Sequence, residues 1–358
     1  MRRARSAAAG LRAIACAALA CAASAAEPPP KPRLTVLATG GTIAGESRSE
    51  TDASYRAGAL AVDVLLDAVP RIRDLAVVRG EQVAAIGSQD MSDEIWLRLA
   101  ARTGELLASD DVDGVVITHG TDTLEETAYF LHLAVRTDKP IVMTGAMRPA
   151  TRMSADGPQN LYDAVAVAAD PRSRGRGVLV VVNDDIHSAR DVTKTHTTDV
   201  QTFRSGEAGL VGTTLAGSIA FFRTPERLHT ARSEFRVAEA TALPRVDVIH
   251  AHAGMSADLV DCAVANGAKG LVFAGVGDGN LSAGALEAVR RARAKGVVVV
   301  RSSRVGGGVV RRNVEVGDDA LGTVASMDLG PAKARVLLKL ALRVTSDPKR
   351  IQEMFERY

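Results

Sequence analysis

Short apolar runs recur along the chain at 34–38, 114–118, 141–144, 178–182, 246–249, 271–274 and 297–300, each four or five residues long and each followed by glycine or a polar residue. Apolar residues on consecutive rather than alternate positions predict strands buried on both faces, which is how parallel strands lie beneath covering helices. Between the runs the period changes. Helices are predicted over 92–107, 123–135 and 283–294, and residues 331–342, rich in Ala, Leu, Lys and Arg, read as a further amphipathic helix. Strands alternating with helices predict an α/β fold. Over 224–244 the periodicity fades, so we place a linker there, between a larger N-terminal parallel-sheet domain at 26–223 and a smaller C-terminal α/β domain at 245–358. With 46% of 358 residues hydrophobic, the chain has material for two such cores.

The first 25 residues follow another pattern. Arg2, Arg3, Arg5 and Arg12 precede an Ala-rich apolar stretch at 13–23 that ends in Ala23-Ser24-Ala25. This is the layout of a secretory signal peptide, cleaved after Ala25, and it predicts a periplasmic mature protein. The stretch is too short for a comfortable membrane span, and no later run reaches about 18 apolar residues, so no stable membrane association is expected after cleavage. Removing four arginines and no acid takes the formal net charge from +2 to −2, which argues against nucleic acid as a partner. Two of the three cysteines, Cys16 and Cys21, lie in the leader. Cys262 then has no partner for an internal disulfide and reads as a packing residue, leaving stability to packing and oligomerisation.

Chemistry is expected at the carboxyl ends of the strands, where open α/β sheets bind ligands. The first run leads into Thr39-Gly40-Gly41-Thr42-Ile43-Ala44-Gly45, whose paired glycines turn the chain and leave the Thr42 hydroxyl at the turn. This is G-G-x-x-x-G rather than G-x-G-x-x-G, and no Gly-Lys-Ser/Thr follows, so a nucleotide is not the expected ligand. Residues 46–54 are almost wholly polar and cannot be core; they form a candidate lid, with Tyr55 as its acid–base group. The run at 114–118 leads into Thr118-His119-Gly120-Thr121-Asp122-Thr123, again a hydroxyl at a turn and now beside a carboxylate. Alone, Thr121 or Asp122 would read as a helix cap. Gly87-Ser88-Gln89-Asp90 supplies a third polar turn, and Arg190-Asp191-Val192-Thr193-Lys194-Thr195 sets a lysine in polar company. Such a crevice suits acyl transfer, in which a hydroxyl attacks a carbonyl, a base takes its proton and backbone N–H groups stabilise the oxyanion. Thr42 with Tyr55 and Thr121 with Lys194 are both admissible pairs, and spacing does not rank them. His250-Ala251-His252 puts two imidazoles on one strand face, but without a recognisable third ligand they read as strand-end or interface histidines rather than a metal site.

Taken together, Thr39 to Gly45, Gly87 to Met91, Thr118 to Thr123 and Gly145-Ala146-Met147-Arg148-Pro149 closely resemble the bacterial type II, secreted L-asparaginases and their glutaminase-asparaginase relatives. Ser154-Ala155-Asp156-Gly157-Pro158, Arg190 to Thr195, Gly275 to Leu281 and Arg301-Ser302-Ser303-Arg304 extend the likeness over nearly all of the chain after the leader. The resemblance implies a cofactor-free amidohydrolase that opens the side-chain amide of L-asparagine through a threonine ester. It implies Thr42 as nucleophile, Tyr55 as the lid tyrosine assisting it, and Glu315 as the acid bonded to that tyrosine. Thr121, Asp122 and Lys194 match a second group that polarises the carbonyl and places the water. Ser88, Gln89, Asp122 and Glu315 match the groups holding the substrate's α-carboxylate and α-amino ends, with Asn280 beside them. A homotetramer, a dimer of dimers with sites shared between subunits, is likewise implied. Two departures stand out: the cysteine pair common in secreted relatives is missing, and Asp278 stands where they commonly carry asparagine, which raises the expectation of altered charge in the crevice. The rival readings are an enzyme with comparable L-glutamine activity and an amide amino-acid binding protein that has lost the chemistry.

Overall fold

A computed structural model describes residues 30–49, 54–237, 240 and 242–358, so the predicted leader and its cysteines lie outside the described residues. The first strands are β1 (Arg33–Gly40), β2 (Val77–Ile86), β3 (Gly114–Thr118), β4 (Ile141–Thr144) and β5 (Val178–Val182). They pair in parallel in the order β2-β1-β3-β4-β5. From β5 the same sheet continues antiparallel through β6 (Asp185–Ser188), β7 (Gly212–Leu215) and β8 (Ser218–Phe221). The sheet is therefore mixed, where the apolar runs alone predicted a parallel one. The added strands are short, and β8 at the edge is exposed at alternate residues, so none of them leaves a continuous apolar run. β2 lies at the opposite edge and escaped prediction for the same reason, since it carries Arg79, Gly80, Glu81 and Gln82 on a half-exposed strand.

The second sheet is wholly parallel, in the order β9 (Val246–His250), β10 (Gly270–Gly275), β11 (Val298–Ser303) and β12 (Val324–Ala325). Around the two sheets lie helices α1 (Asp93–Ala108), α2 (Leu124–Ala134), α3 (Gly157–Ala169), α4 (Asp258–Ala265), α5 (Ala283–Ala294), α6 (Pro331–Ala341) and α7 (Pro348–Arg357). Three apolar clusters order them into layers. Val36, Val116 and Val142 face α3 through Leu161 and Val165. Leu37 and Ile117 on the other face join α1, α2 and α6 with Val272 and Val298 of the second sheet in one continuous core. Phe273 and Val299 then meet Val260 of α4 and Val289 of α5.

Local signals agree with these placements. α1 starts at Ser92, whose Oγ accepts the Ile95 N–H at 3.3 Å, with Asp93 and Glu94 in the first turn where the helix dipole favours acids. Its buried face presents Trp96, which stacks on Phe130 of α2 at 5.0 Å and donates its indole N–H to Thr127 at 2.8 Å. The 224–244 segment has no strand among its described residues, only a 3-10 turn at Thr230–Arg232, yet Phe235 is buried against Tyr358 with ring centroids 4.9 Å apart. It is irregular but packed.

Candidate active site

Three neighbouring strand ends meet backbone to backbone. Gly40 and Gly41, after the body of β1, have φ of 105° and 80°, a region that side chains rarely occupy. A Cβ on Gly41 would overlap the Gly120 backbone after β3, and one on Gly120 would lie 2.6 Å from the Ser88 hydroxyl after β2. Glycine at these points is what brings Thr42, Ser88 and Thr121 into one crevice at the carboxyl ends of adjacent parallel strands.

Thr42 opens the 3-10 turn Thr42–Ala44 and is buried, with Oγ1 2.7 Å from the Tyr55 hydroxyl. Tyr55 belongs to a small antiparallel hairpin, Glu46–Ser47 against Tyr55–Arg56, and is 45% exposed. Its ring lies over Gly45, where a Cβ would come 2.9 Å from the ring. The hairpin base is held by the Ser47 N–H donating to Thr151 Oγ1 at 2.9 Å and the Ala150 N–H donating to the Gly45 carbonyl at 3.1 Å. The predicted lid is thus anchored at its base, with the phenol on the solvent side of a sheltered threonine.

The second pair faces the first. Lys194 donates from Nζ to Thr121 Oγ1 at 3.0 Å and pairs with Asp122 Oδ1 at 2.6 Å. Thr121 is buried, the Lys194 side chain is 17% exposed and that of Asp122 61%, so the ammonium bridges a sheltered hydroxyl and a solvated carboxylate. Ser88 supports this loop from behind: its Oγ accepts the Asp122 N–H at 3.1 Å and its carbonyl accepts from Thr123 Oγ1 at 2.8 Å. Gln89 is exposed, its amide lying where a side chain on Gly87 would be. His119, behind Thr121, is fully buried. It donates from Nδ1 to the Gly120 carbonyl at 2.7 Å, Nε2 has no partner among the described residues, and desolvation pushes its pKa down to about 4.

Both pairs line one cleft of about 800 Å³, whose other wall is formed by residues 147–149, 152–154 and 197–198. The 147–148 wall is rigid, because Asp156 accepts the Met147 and Arg148 N–H groups at 2.8 and 2.9 Å. Two hydroxyls capable of nucleophilic attack, one beside a phenol and one beside an ammonium, therefore face the same space.

Matches to known proteins cover both halves of this arrangement. Residues 33–227 match the family model described as "Asparaginase, N-terminal", and residues 245–355 match "Glutaminase/Asparaginase C-terminal domain". The chain belongs to the asparaginase family. Its relatives include a protein from Haemophilus influenzae named "Probable L-asparaginase periplasmic", 51% identical over 91% of this chain and 93% of the relative. "L-asparaginase 2" of Escherichia coli is also 51% identical, with the same coverage of each chain. "Glutaminase-asparaginase" of Pseudomonas fluorescens biotype A is 46% identical over 91% of this chain and 90% of the relative. Among solved structures, a probable cytoplasmic L-asparaginase from Campylobacter jejuni superposes with a TM-score of 0.89 at 47% identity, covering 92% of this chain and all of that one.

This asparaginase-type hydrolase keeps four of its predicted residues out of the cleft lining: Ser88 and Gln89 on the turn behind Thr121, and Asn280 and Glu315 on loops of the second sheet. Asn280 donates from Nδ2 to Glu315 Oε2 at 2.6 Å, but neither residue lines the cleft that holds Thr42 and Thr121. Their loops are joined by the buried Arg301 of β11, which donates to the Asp278, Gly279 and Arg311 carbonyls at 3.1, 3.2 and 3.1 Å and pairs with buried Asp318 at 2.7 Å. Asp278 takes part in the same junction, accepting the Arg311 N–H at 2.9 Å. Its carboxylate thus ties two loops together, where sequence alone suggested a charge offered to the crevice. Cys262 is exposed on α4 rather than packed, because Val260 and Ala263 take the core-facing positions of that short helix. His250 ends β9 exposed, and His252 lies next to it with Nδ1 2.9 Å from the Ala253 carbonyl. Sequence reasoning missed Glu125, whose carboxylate accepts from Thr193 Oγ1 and the Lys194 N–H. Its only signal was a position four residues after Thr121 on a predicted helix.

Proposed function

We propose that this protein hydrolyses the side-chain amide of L-asparagine to L-aspartate and ammonia through an ester on Thr42. The observation that carries the proposal is the pairing of Thr42 with Tyr55 at 2.7 Å and of Thr121 with Lys194 at 3.0 Å across one cleft. Thr42 Oγ1 attacks the amide carbonyl carbon while its proton passes to the Tyr55 oxygen, and the phenolic proton is relayed to the departing nitrogen. The C–N bond breaks, ammonia leaves and a β-aspartyl ester remains. A water held near Thr121 and Lys194 attacks the ester, and its proton returns to Thr42 as the C–O bond opens. Lys194 supplies a fixed positive charge beside Thr121, where an oxyanion or a polarised water gains most from it.

Asparagine is small, so its α-carboxylate and α-ammonium must supply most of the binding energy that positions the amide. We assign that task to Ser88, Gln89 and Asp122 of one chain together with Asn280 and Glu315 of a neighbour in a homotetramer. Neither Asn280 nor Glu315 lines its own chain's cleft, and that supports assigning the pair to a neighbour's site. Catalysis on this reading uses no metal or cofactor. Periplasmic export is inferred from the leader and supported by the relative from Haemophilus influenzae. Comparable action on L-glutamine is the alternative favoured by the glutaminase-asparaginase relatives, since one methylene of substrate length is worth only about 1–3 kcal/mol. Ammonia release from L-asparagine and L-glutamine, measured side by side, together with mapping of the trapped acyl-enzyme, tests the assignment. An ester on Thr121, or no ammonia from either amide, would overturn it.

A further inference from the structure

We propose that Glu125 is a positioning residue that holds Lys194 against Thr121, a role that rests on the acyl-transfer reading of the site. One oxygen of its carboxylate, Oε2, accepts from Thr193 Oγ1 at 2.6 Å and from the Lys194 backbone N–H at 2.7 Å. Glu125 stands in the first turn of α2, where the helix dipole favours a negative charge, four residues after Thr121. The acceptor and the hydroxyl that Lys194 must reach therefore belong to one rigid piece of backbone. Lys194 has no such support of its own. It sits on a two-residue strand, Thr193–Lys194, that pairs with Phe203–Arg204 outside both large sheets.

The neighbouring acid does not share the task. Glu126 faces the other way, with Oε2 3.6 Å from Arg335 of α6. Buried Lys333, also on α6, donates to the Arg190 and Val192 carbonyls and so grips the approach to this strand. Glu125 instead binds the backbone N–H of Lys194 itself. If that grip is lost, Nζ still finds the solvated carboxylate of Asp122 from many positions, whereas Thr121 is buried and its hydroxyl is reached from fewer. The expected defect is thus in the chemical step rather than in substrate affinity.

The test is steady-state ammonia release from L-asparagine, with thermal midpoints, for variants of the whole assembled protein. Glu125→Ala is expected to lower kcat about 10- to 100-fold, the effect of ångström-scale misplacement, with KM within about threefold of wild type. Glu125→Gln keeps a carbonyl oxygen that accepts both bonds and is expected to recover kcat to within about fivefold. Thr193→Val deletes one of the two bonds at little risk to folding and is expected to cost about three- to tenfold in kcat. Glu126→Gln serves as the control for this helix end and keeps its kcat. Because Glu125 acts through Lys194, the double variant Glu125→Ala/Lys194→Met should be no slower than Lys194→Met. Unchanged kcat in Thr193→Val, failure of Glu125→Gln to rescue, or losses that multiply in the double variant would each overturn the proposal. A fully active Lys194→Met would instead sink the acyl-transfer reading on which it rests.

Discussion

His119 makes the stability of this protein depend on pH in a way that one substitution isolates. The ring is wholly buried beneath the Thr121 turn, donates from Nδ1 to the Gly120 carbonyl, and leaves Nε2 without an acceptor for a second proton among the described residues. Desolvation therefore lowers its pKa to about 4, against about 6.5 in the unfolded chain. Since the folded value lies below the unfolded one, the folded chain binds fewer protons between these limits. The stabilisation is complete above about pH 6.5 and is lost as the pH falls toward about 4. For these two pKa values the loss between pH 7 and pH 5 is about 2 kcal/mol. His119→Asn keeps a donor for the Gly120 carbonyl and removes the titrating ring; whatever cavity it leaves costs the same at both pH values. Urea unfolding followed through Trp96, the one tryptophan in the chain, at fixed protein concentration should show wild type losing about 2 kcal/mol more than the variant between pH 7 and pH 5. All other titrating groups cancel in that difference, including buried Asp163 and half-buried Glu126 and Asp185, whose raised pKa values act in the opposite direction. A stability gap that does not change with pH would refute the reasoning.

Other expectations concern the site. Thr42→Ala should abolish ammonia release while leaving the urea midpoint within about 1 kcal/mol of wild type, because a turn hydroxyl contributes little to the core; loss of folded protein would count against a purely chemical role. Lys194→Met should slow turnover about thirty- to a thousand-fold, the equivalent of about 2–4 kcal/mol for a charged contact, and EDTA should have no effect. Activity that vanishes with chelator and returns with zinc would contradict the lysine's assignment. Thr42→Ala and Glu315→Gln, each inactive alone, should regain roughly a quarter of full activity when unfolded and refolded together, since half of randomly paired dimers are mixed and each mixed dimer holds one intact site. No recovery despite proven subunit exchange would place Glu315 in its own chain's site.

Local pattern determined much of this protein without help from tertiary structure. The runs at 34–38, 114–118 and 178–182 are strands because continuous apolar sequence has to be buried on both faces, and α1 lies within one residue of its predicted bounds because a cap and an apolar stripe mark it. The turns bearing Thr42 and Thr121 were visible as glycine and hydroxyl clusters after such runs, and the one bearing Ser88 as a polar turn. Their partnership was not. Thr42 and Tyr55 are 13 residues apart and Thr121 and Lys194 are 73 apart; the Glu46–Ser47 hairpin sets the first pair and the Thr193–Lys194 strand, held by Glu125, sets the second, while the approach of Gly41 to Gly120 brings the two pairs to one cleft. Edge strands such as β2 and β8 also needed the assembled sheet, because Val77–Ile86 shows neither a continuous apolar run nor a strict alternation and Ser218–Phe221 is too short to establish one. The same holds for Glu125, Arg301 and Asp278. A carboxylate or guanidinium in sequence has no direction, and what it binds is decided by which backbone groups the folded chain leaves within reach.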